Sequence, residues 1–234
     1  MKHQYKEVKA ILFDLDGTIF DIRERDSFSR FQALNQFGYI VSLEEVRKHY
    51  NYGIGRMGVA HKFGIKFSEK EEKEYIKACY SFFMNRKNAL KLTKIHDNAY
   101  EVLSTLHSNY NLALVTSRDA LAPTEEELKQ FKIRKFFTLI ITREVAAKYH
   151  RVKHLPLLPF QEQRKKLYEC AIGLIKLNPK NMLSLGDSTG ELEPARALGI
   201  KTIGVLTGFD SKEDMDRTSI PTIPDLSYLP KILR

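Results

Sequence analysis

Apolar and polar positions along the chain follow two rhythms. Short apolar runs recur at Val8–Phe13 (broken only by Lys9), at Leu112–Thr116, at Phe137–Ile141, at Met182–Gly186 and at Thr202–Leu206. These runs have strand length, and polar or turn-forming stretches bound them. Between them the spacing turns helical: over Asp97–His107, where Ala99, Val102, Leu103 and Leu106 form one face, over 124–131, and over Gln161–Leu177. Strands alternating with helices predict an α/β chain with a largely parallel sheet, covered on both faces and joined by right-handed connections. The rhythm is interrupted once. Residues 24–37 carry Phe28, Phe31, Leu34 and Phe37 at helical spacing. Ser42 with Glu45, and Ser68 with Glu71, have the capping-box spacing that opens a helix over 43–51 and another from Ser68 to about Arg86. A glycine-rich stretch, Asn51–Gly58, predicts a bend between them. The expected layout is therefore an α/β core built from 1–21 and 93–234 with an all-helical insertion over 22–92. An insertion directly after the first strand is expected to lie over the carboxyl end of the sheet as a lid. No pattern is legible after Gly208, where Asp, Ser and Pro dominate.

Composition narrows the classes. The 234 residues suit one large or two modest domains, and 43% hydrophobic content suffices for a core. No apolar run approaches the ~18 residues of a membrane span. Met1–Lys9 is polar and lacks the apolar segment of a secretory signal. Cys79 and Cys170 stand far apart without a CxxC, against a disulfide scaffold or a cysteine zinc site. A cytoplasmic location is the expectation. The formal charge is +9, and residues 22–95 hold 15 Lys/Arg against 8 Asp/Glu. Such a field attracts anions, with phosphorylated metabolites as the simplest kind. The absence of zinc-finger spacing, an RNP-like motif or a sustained arginine cluster argues against a nucleic-acid partner.

The first strand ends in Asp14 and Asp16, followed at once by Gly17. Two carboxylates delivered to a strand tip sit where open α/β sheets place their chemistry, and a divalent cation or a shared proton relieves their repulsion. The stretch Ile11–Asp21, ILFDLDGTIFD, resembles the first motif of the haloacid-dehalogenase-like phosphatase superfamily. That resemblance implies a Rossmann-like core with a helical cap domain. It implies Asp14 as nucleophile, Asp16 as general acid/base, and the Asp16 backbone carbonyl as a metal ligand. An acid at position 16 favours phosphoryl transfer over halide displacement, which needs no leaving-group proton. Thr18 is expected to brace the turn through its hydroxyl. Gly-x-Gly-x-x-Gly is absent after the first strand, against dinucleotide binding.

Thr116-Ser117-Arg118 follows the second strand and resembles the family's second motif, with Thr116 on a phosphate oxygen and Ser117 able to share that work. Arg118 is open between a substrate contact and a solvated arginine. Leu185–Glu191 resembles the fourth motif, which implies Asp187 as a magnesium ligand. Glu191 stands where the second acid is usually Asp, and Glu193 lies nearby. The third motif supplies a lysine, often just before a proline, but here Leu155 precedes Pro156. Lys153 is the first choice for that cation and Lys148 the next. Counting back from Asp187 also admits Arg164 or Lys165. Among Arg23, Arg25, Arg56 and Lys62, Arg56 is the best placed for a second charged group of the substrate. The resemblance implies a Mg2+-dependent phosphatase that hydrolyses a small phosphomonoester through an aspartyl-phosphate. A phosphomutase, or a non-catalytic anion- or protein-binding member of the same fold, stands as the alternative. The substrate, and monomer against homodimer, stay open.

Overall fold

The computed structural model describes residues 5–153 and 155–233, without the side chains of Tyr52 and Arg56. The chain divides into two compact units, one built from the residues up to Phe20 and from Ile95 onward, the other spanning Asp21–Lys94. It opens with β1 (Ala10–Phe13), whose four residues are all buried. Burial on both faces is what a central parallel strand requires, and it explains a continuous apolar run in place of alternation. The short β2 (Phe20–Asp21) leads into the second unit, and β3 (Lys94–Ile95), its pairing partner, leads out of it.

The second unit is helical: α1 (Arg23–Gln36), α2 (Leu43–His49), α3 (Gly55–Lys62), α4 (Glu69–Met84) and α5 (Arg86–Leu92). Both expected capping boxes are formed, Ser42 with Glu45 and Ser68 with Glu71. A core of Leu34, Val46, Val59, Ala60 and Tyr75 gathers the partly buried Phe31, Phe37 and Phe67. The Tyr75 ring lies 5.0 Å from Phe67 and 5.9 Å from Phe37. Three details differ from the sequence reading. The expected bend holds the helix α3. Helix α4 stops at Met84 because Asn85 is extended and its side chain caps α5. And α1 buries Arg25 rather than offering it to a ligand. Its Nε donates to the Phe83 carbonyl at 2.6 Å, and the guanidinium lies 4.0 Å over the Phe83 ring.

The first unit continues with α6 (Ala99–Leu106), β4 (Asn111–Val115), α7 (Leu121–Gln130), β5 (Leu139–Ile141), α8 (Arg143–His150), α9 (Phe160–Ile175), β6 (Met182–Gly186), α10 (Thr189–Ala197), β7 (Lys201–Val205), α11 (Lys212–Arg217), β8 (Thr222–Ile223) and α12 (Leu229–Leu233). Six parallel strands run in the order β5-β4-β1-β6-β7-β8. The α/β, Rossmann-like sheet is as expected. Helices α8 and α10, and the α11–β8–α12 tail that adds the last strand, are additions to it. Ala10 and Leu12 pack with Ala113, Val115, Leu167 and Ala171 in one core. Ile11 and Phe13 alternate to the opposite face of the sheet, where the Phe13 ring meets Phe137 edge-on at 6.3 Å.

Register sets the site. Phe13 pairs with Leu114 on one side and Leu185 on the other, so three central strands end level. From β1 the chain builds outward to β4 and β5, then crosses to β6 on the other flank. Such a reversal opens the crevice in which this class of sheet binds ligands.

Candidate active site

Each strand tip delivers one short polar segment. Asp14 follows β1, and its N–H donates to the Leu185 carbonyl at 2.8 Å, which continues the ladder and fixes the direction of its side chain. Thr116 follows β4, buried, with its N–H on the Ile141 carbonyl at 2.9 Å. Asp187 follows β6. The Asp14, Asp187 and Glu191 carboxylates converge, with one oxygen from each within 4.8 Å of the others. Asp14 and Asp187 are each only 4% exposed.

The Asp187 carboxylate is held in a backbone cradle. Its Oδ2 accepts the Phe209 N–H at 2.8 Å, and its carbonyl accepts the Asp210 N–H at 2.9 Å. A β-carbon on Gly17 or on Gly208 would stand 1.9 Å from that same oxygen. Gly17 is also in the left-handed region at φ +91°, which suits a residue without a side chain. Gly17→Ala is therefore expected to cost about 1–3 kcal/mol in overpacking and strain and to displace Asp187. Thermal unfolding together with turnover checks both effects. The loop beyond β7 completes the cradle. Thr207 Oγ1 donates to the Gly17 carbonyl at 2.8 Å, and the Asp210 carboxylate accepts the Thr189 N–H and hydroxyl at 2.6 and 2.7 Å.

Burial, then the neighbouring Glu191, push Asp14 well above the usual carboxylate range, with Arg164 opposing and Asp187 and Asp16 adding to the rise. Asp187 is raised in the same way, by burial first and Glu191 second. Glu191 is raised by burial against the pull of Arg164. Three acids that resist ionisation together are a site built for a positive charge or for protons. Glu191 Oε2 is buried with no hydrogen-bond partner among the described residues. A set of only carboxylate oxygens suits a hard divalent cation.

The cation beside Asp14 is Arg164, on α9. It is fully buried, with NH1 3.6 Å from Asp14 Oδ1 and 3.3 Å from Glu191 Oε1. It also donates to Ser117 Oγ at 3.0 Å and to the Tyr168 hydroxyl at 3.2 Å, and that hydroxyl meets Ser184 Oγ at 3.0 Å. A fork with five donors is anchored on one side while it presents charge to two acids on the other. Lys153 and Lys148 do not reach this place. Lys153 lies exposed on a turn after α8, and Lys148 is an exposed partner of Glu144 at 2.6 Å. Leu155 is buried in the core and the exposed Pro156–Leu157 continue in a short helical turn, so α9 begins only at Phe160. Arg164, one of the two positions reached by counting back from Asp187, is the cation that stands against Asp14 and Glu191.

Other expectations resolve by position. Arg118 is neither solvated nor free for a substrate. It is buried, and its fork donates to both Asp16 oxygens at 2.8 and 2.7 Å. Ser117 accepts from Arg164, and Thr116 Oγ1 accepts the Arg118 N–H at 3.4 Å. The Thr18 hydroxyl braces nothing: it is buried without a hydrogen-bond partner among the described residues. Glu193 is half-exposed beside Arg196 at 3.8 Å, leaving Glu191 as the acid in the cluster. The side chain of Arg56 lies outside the described residues. Sequence reasoning missed Thr207, Phe209 and Asp210; Gly208, just past an apolar run, was the one available signal.

The model of the haloacid dehalogenase-like hydrolase family matches residues 11–205. A protein of Caldanaerobacter subterraneus named for the pyrophosphatase PpaX is 30% identical over 207 residues, covering 85% of this chain and 82% of that one. The phosphoglycolate phosphatase of Vibrio parahaemolyticus is 23% identical over 227 residues, covering 94% and 93%. Among solved structures, a haloacid dehalogenase-like family hydrolase from Streptococcus pneumoniae superposes with a TM-score of 0.76 at 18% identity, over 97% of this chain and 99% of that one.

Proposed function

The chain belongs to the haloacid dehalogenase-like hydrolase family, and from that premise we propose that it is a Mg2+-dependent phosphatase of a small phosphorylated metabolite, with Asp14 as its nucleophile. The observation that supports this most is the convergence of Asp14, Asp187 and Glu191 around one point, beside the buried Arg164.

Asp14 attacks phosphorus. The bond to the leaving oxygen breaks with its electron pair, and that oxygen takes a proton from Asp16. A water that returns its proton to Asp16 then attacks the aspartyl-phosphate, which frees inorganic phosphate and restores Asp14. Arg164 lies against Asp14 throughout and balances charge on the nucleophile and on the transferring group. Thr116 and Ser117, whose hydroxyl oxygens accept from Arg118 and Arg164, are assigned the donation of their hydroxyl protons to a phosphate oxygen. The groups that would hold magnesium are the Asp14 and Asp187 carboxylates and the Asp16 carbonyl, with Glu191 as a fourth acid in the cluster. When bound, the ion neutralises charge between an anionic nucleophile and an anionic substrate. The helical unit, inserted after the first strand, is assigned the choice of leaving group. No helix among the described residues is long and apolar enough to cross a membrane.

The test is phosphate release from a panel of phosphomonoesters, with inorganic pyrophosphate and phosphoglycolate included because relatives carry those names. Turnover on one member well above the rest, lost on chelation and restored by magnesium, is expected. Metal-independent turnover, or none across the panel, sinks the reading.

A further inference from the structure

We propose that Arg118, braced by Glu127, is the positioning residue of the general acid/base: it fixes the Asp16 carboxylate in one orientation so that its proton is delivered to the leaving oxygen. The proposal rests on the phosphatase reading above.

Asp16 differs from the other acids of the site. It lies beyond the end of β1, on the turn made by Gly17, and its side chain is 22% exposed. A carboxylate on a turn, partly in solvent, samples several rotamers unless something ties it down. Arg118 ties it with two parallel bonds, Nε to Oδ2 at 2.8 Å and NH2 to Oδ1 at 2.7 Å. A bidentate fork fixes the plane of the carboxylate as well as its distance, which a single bond does not. Each carboxylate oxygen keeps a further lone-pair direction for a reacting partner.

The clamp is itself held from behind. The Arg118 side chain is 3% exposed, and its third nitrogen, NH1, lies 2.9 Å from Glu127 Oε2 on α7. Its guanidinium carbon stands 5.8 Å over the Phe20 ring. Glu127 is 5% exposed; its role is to complete the charge around Arg118 and to fix where the fork points. One cation between two carboxylates has a chemical consequence. Without Arg118, two acids face each other across a buried gap, so Asp16 is pushed off its position rather than merely loosened. Lysine carries the charge but lacks the fork and restores part of the effect.

This role predicts a loss that depends on the leaving group. An alkyl phosphate leaves as a strongly basic alkoxide and needs a proton from a well-aimed acid. p-Nitrophenyl phosphate leaves as a weakly basic phenolate and needs little help. The experiment compares wild type, Arg118→Met, Arg118→Lys and Glu127→Gln, with magnesium, on p-nitrophenyl phosphate and on the alkyl phosphate that the panel ranks first. The reading is kcat/KM, which stops at transfer of the phosphoryl group to Asp14.

In Arg118→Met, kcat/KM on the alkyl phosphate is expected to fall at least about 30-fold further than on p-nitrophenyl phosphate, a part of the roughly 10²- to 10⁴-fold that a general acid supplies. Arg118→Lys should recover part of that ratio, and Glu127→Gln should show a smaller loss of the same selectivity. An equal fall on both substrates would make Arg118 a structural arginine and overturn the proposal. If Arg118→Met does not fold, Arg118→Lys and Glu127→Gln decide, and an unchanged alkyl-to-aryl ratio in both overturns it. A wild type that turns over nothing in the panel brings down the phosphatase reading and the proposal with it; an active wild type with uniform losses brings down the proposal alone.

Discussion

Arg164→Met is expected to lower kcat/KM about 10²- to 10³-fold, the scale of losing one preorganised electrostatic contact to developing charge. Arg164→Lys should lie between that variant and wild type. Lys153→Ala and Lys148→Ala should stay within about twofold of wild type, as exposed substitutions away from the chemistry do. The expectation follows from burial. Arg164 is the described cation within ion-pair distance of Asp14, and its guanidinium is oriented by Ser117 and by Tyr168 behind it. Because the neighbouring acids are packed away from water, their attraction to Arg164 is far stronger than between surface groups. The methionine is close in volume, so the effect reads as lost charge rather than as a cavity. Two buried acids left without the cation should also cost stability, so thermal unfolding belongs beside the kinetics. Full activity in Arg164→Met, or a large loss in Lys153→Ala, would return the third-motif role to the lysine.

The contrast between Asp14 and Arg164 shows what a linear chain discloses. Asp14 was legible because an apolar run of strand length fixes its own end, and whatever follows the run stands at a sheet tip. Asp187 was legible for the same reason, as the residue after the Met182–Gly186 run. The place of Arg164 depends instead on where α9 crosses the sheet and which of its faces turns inward. That depends on how the segment after α8 is consumed: with Leu155 buried and Pro156–Leu157 in a helical turn, the cation moves from a loop onto the helix. The clamp on Asp16 joins residues 102 positions apart and has no local signature. Strand β8 has two residues, too few for any periodicity, so the sheet's last strand was invisible. The cradle around Asp187 is made by backbone N–H groups and by glycines that leave room, and these emerge only once the loop is folded against the carboxylate. Local chemistry carried by side chains at element ends was readable; chemistry that depends on docking one element against another was not.

Asp14→Asn is expected to abolish turnover, by on the order of 10⁴-fold or more as removals of a nucleophile do, while making the metal-free protein more stable at about pH 8. The second effect has a definite sign. Burial and the charge of Glu191 raise the Asp14 pKa in the folded chain above its ordinary value of about 3.9. A group raised on folding gives its full contribution below the unfolded pKa, and that contribution is lost as pH rises through the folded value. Above that value the folded protein must keep a buried negative charge beside other acids. Asparagine keeps the shape and cannot ionise, so it removes the cost. The gain should be about 1–3 kcal/mol near pH 8 and vanish about one pH unit below the unfolded value, near pH 3, where the acid is protonated in either state. Magnesium should reverse the order, because an ion that binds the folded state stabilises the chain whose ligands are intact, and the wild type should rise past the variant as the metal is added. Thermal unfolding of both proteins, with chelator and then with magnesium, at the two pH values, reads all of this without any substrate. A variant less stable than wild type at both pH values would mean that the carboxylates are relieved within the protein itself. A gain that magnesium does not reverse would mean that the acids hold protons rather than a metal ion. The expected crossing would tie the strain at the strand tips to a bound divalent ion, since acids gathered only for the fold have no reason to oppose it.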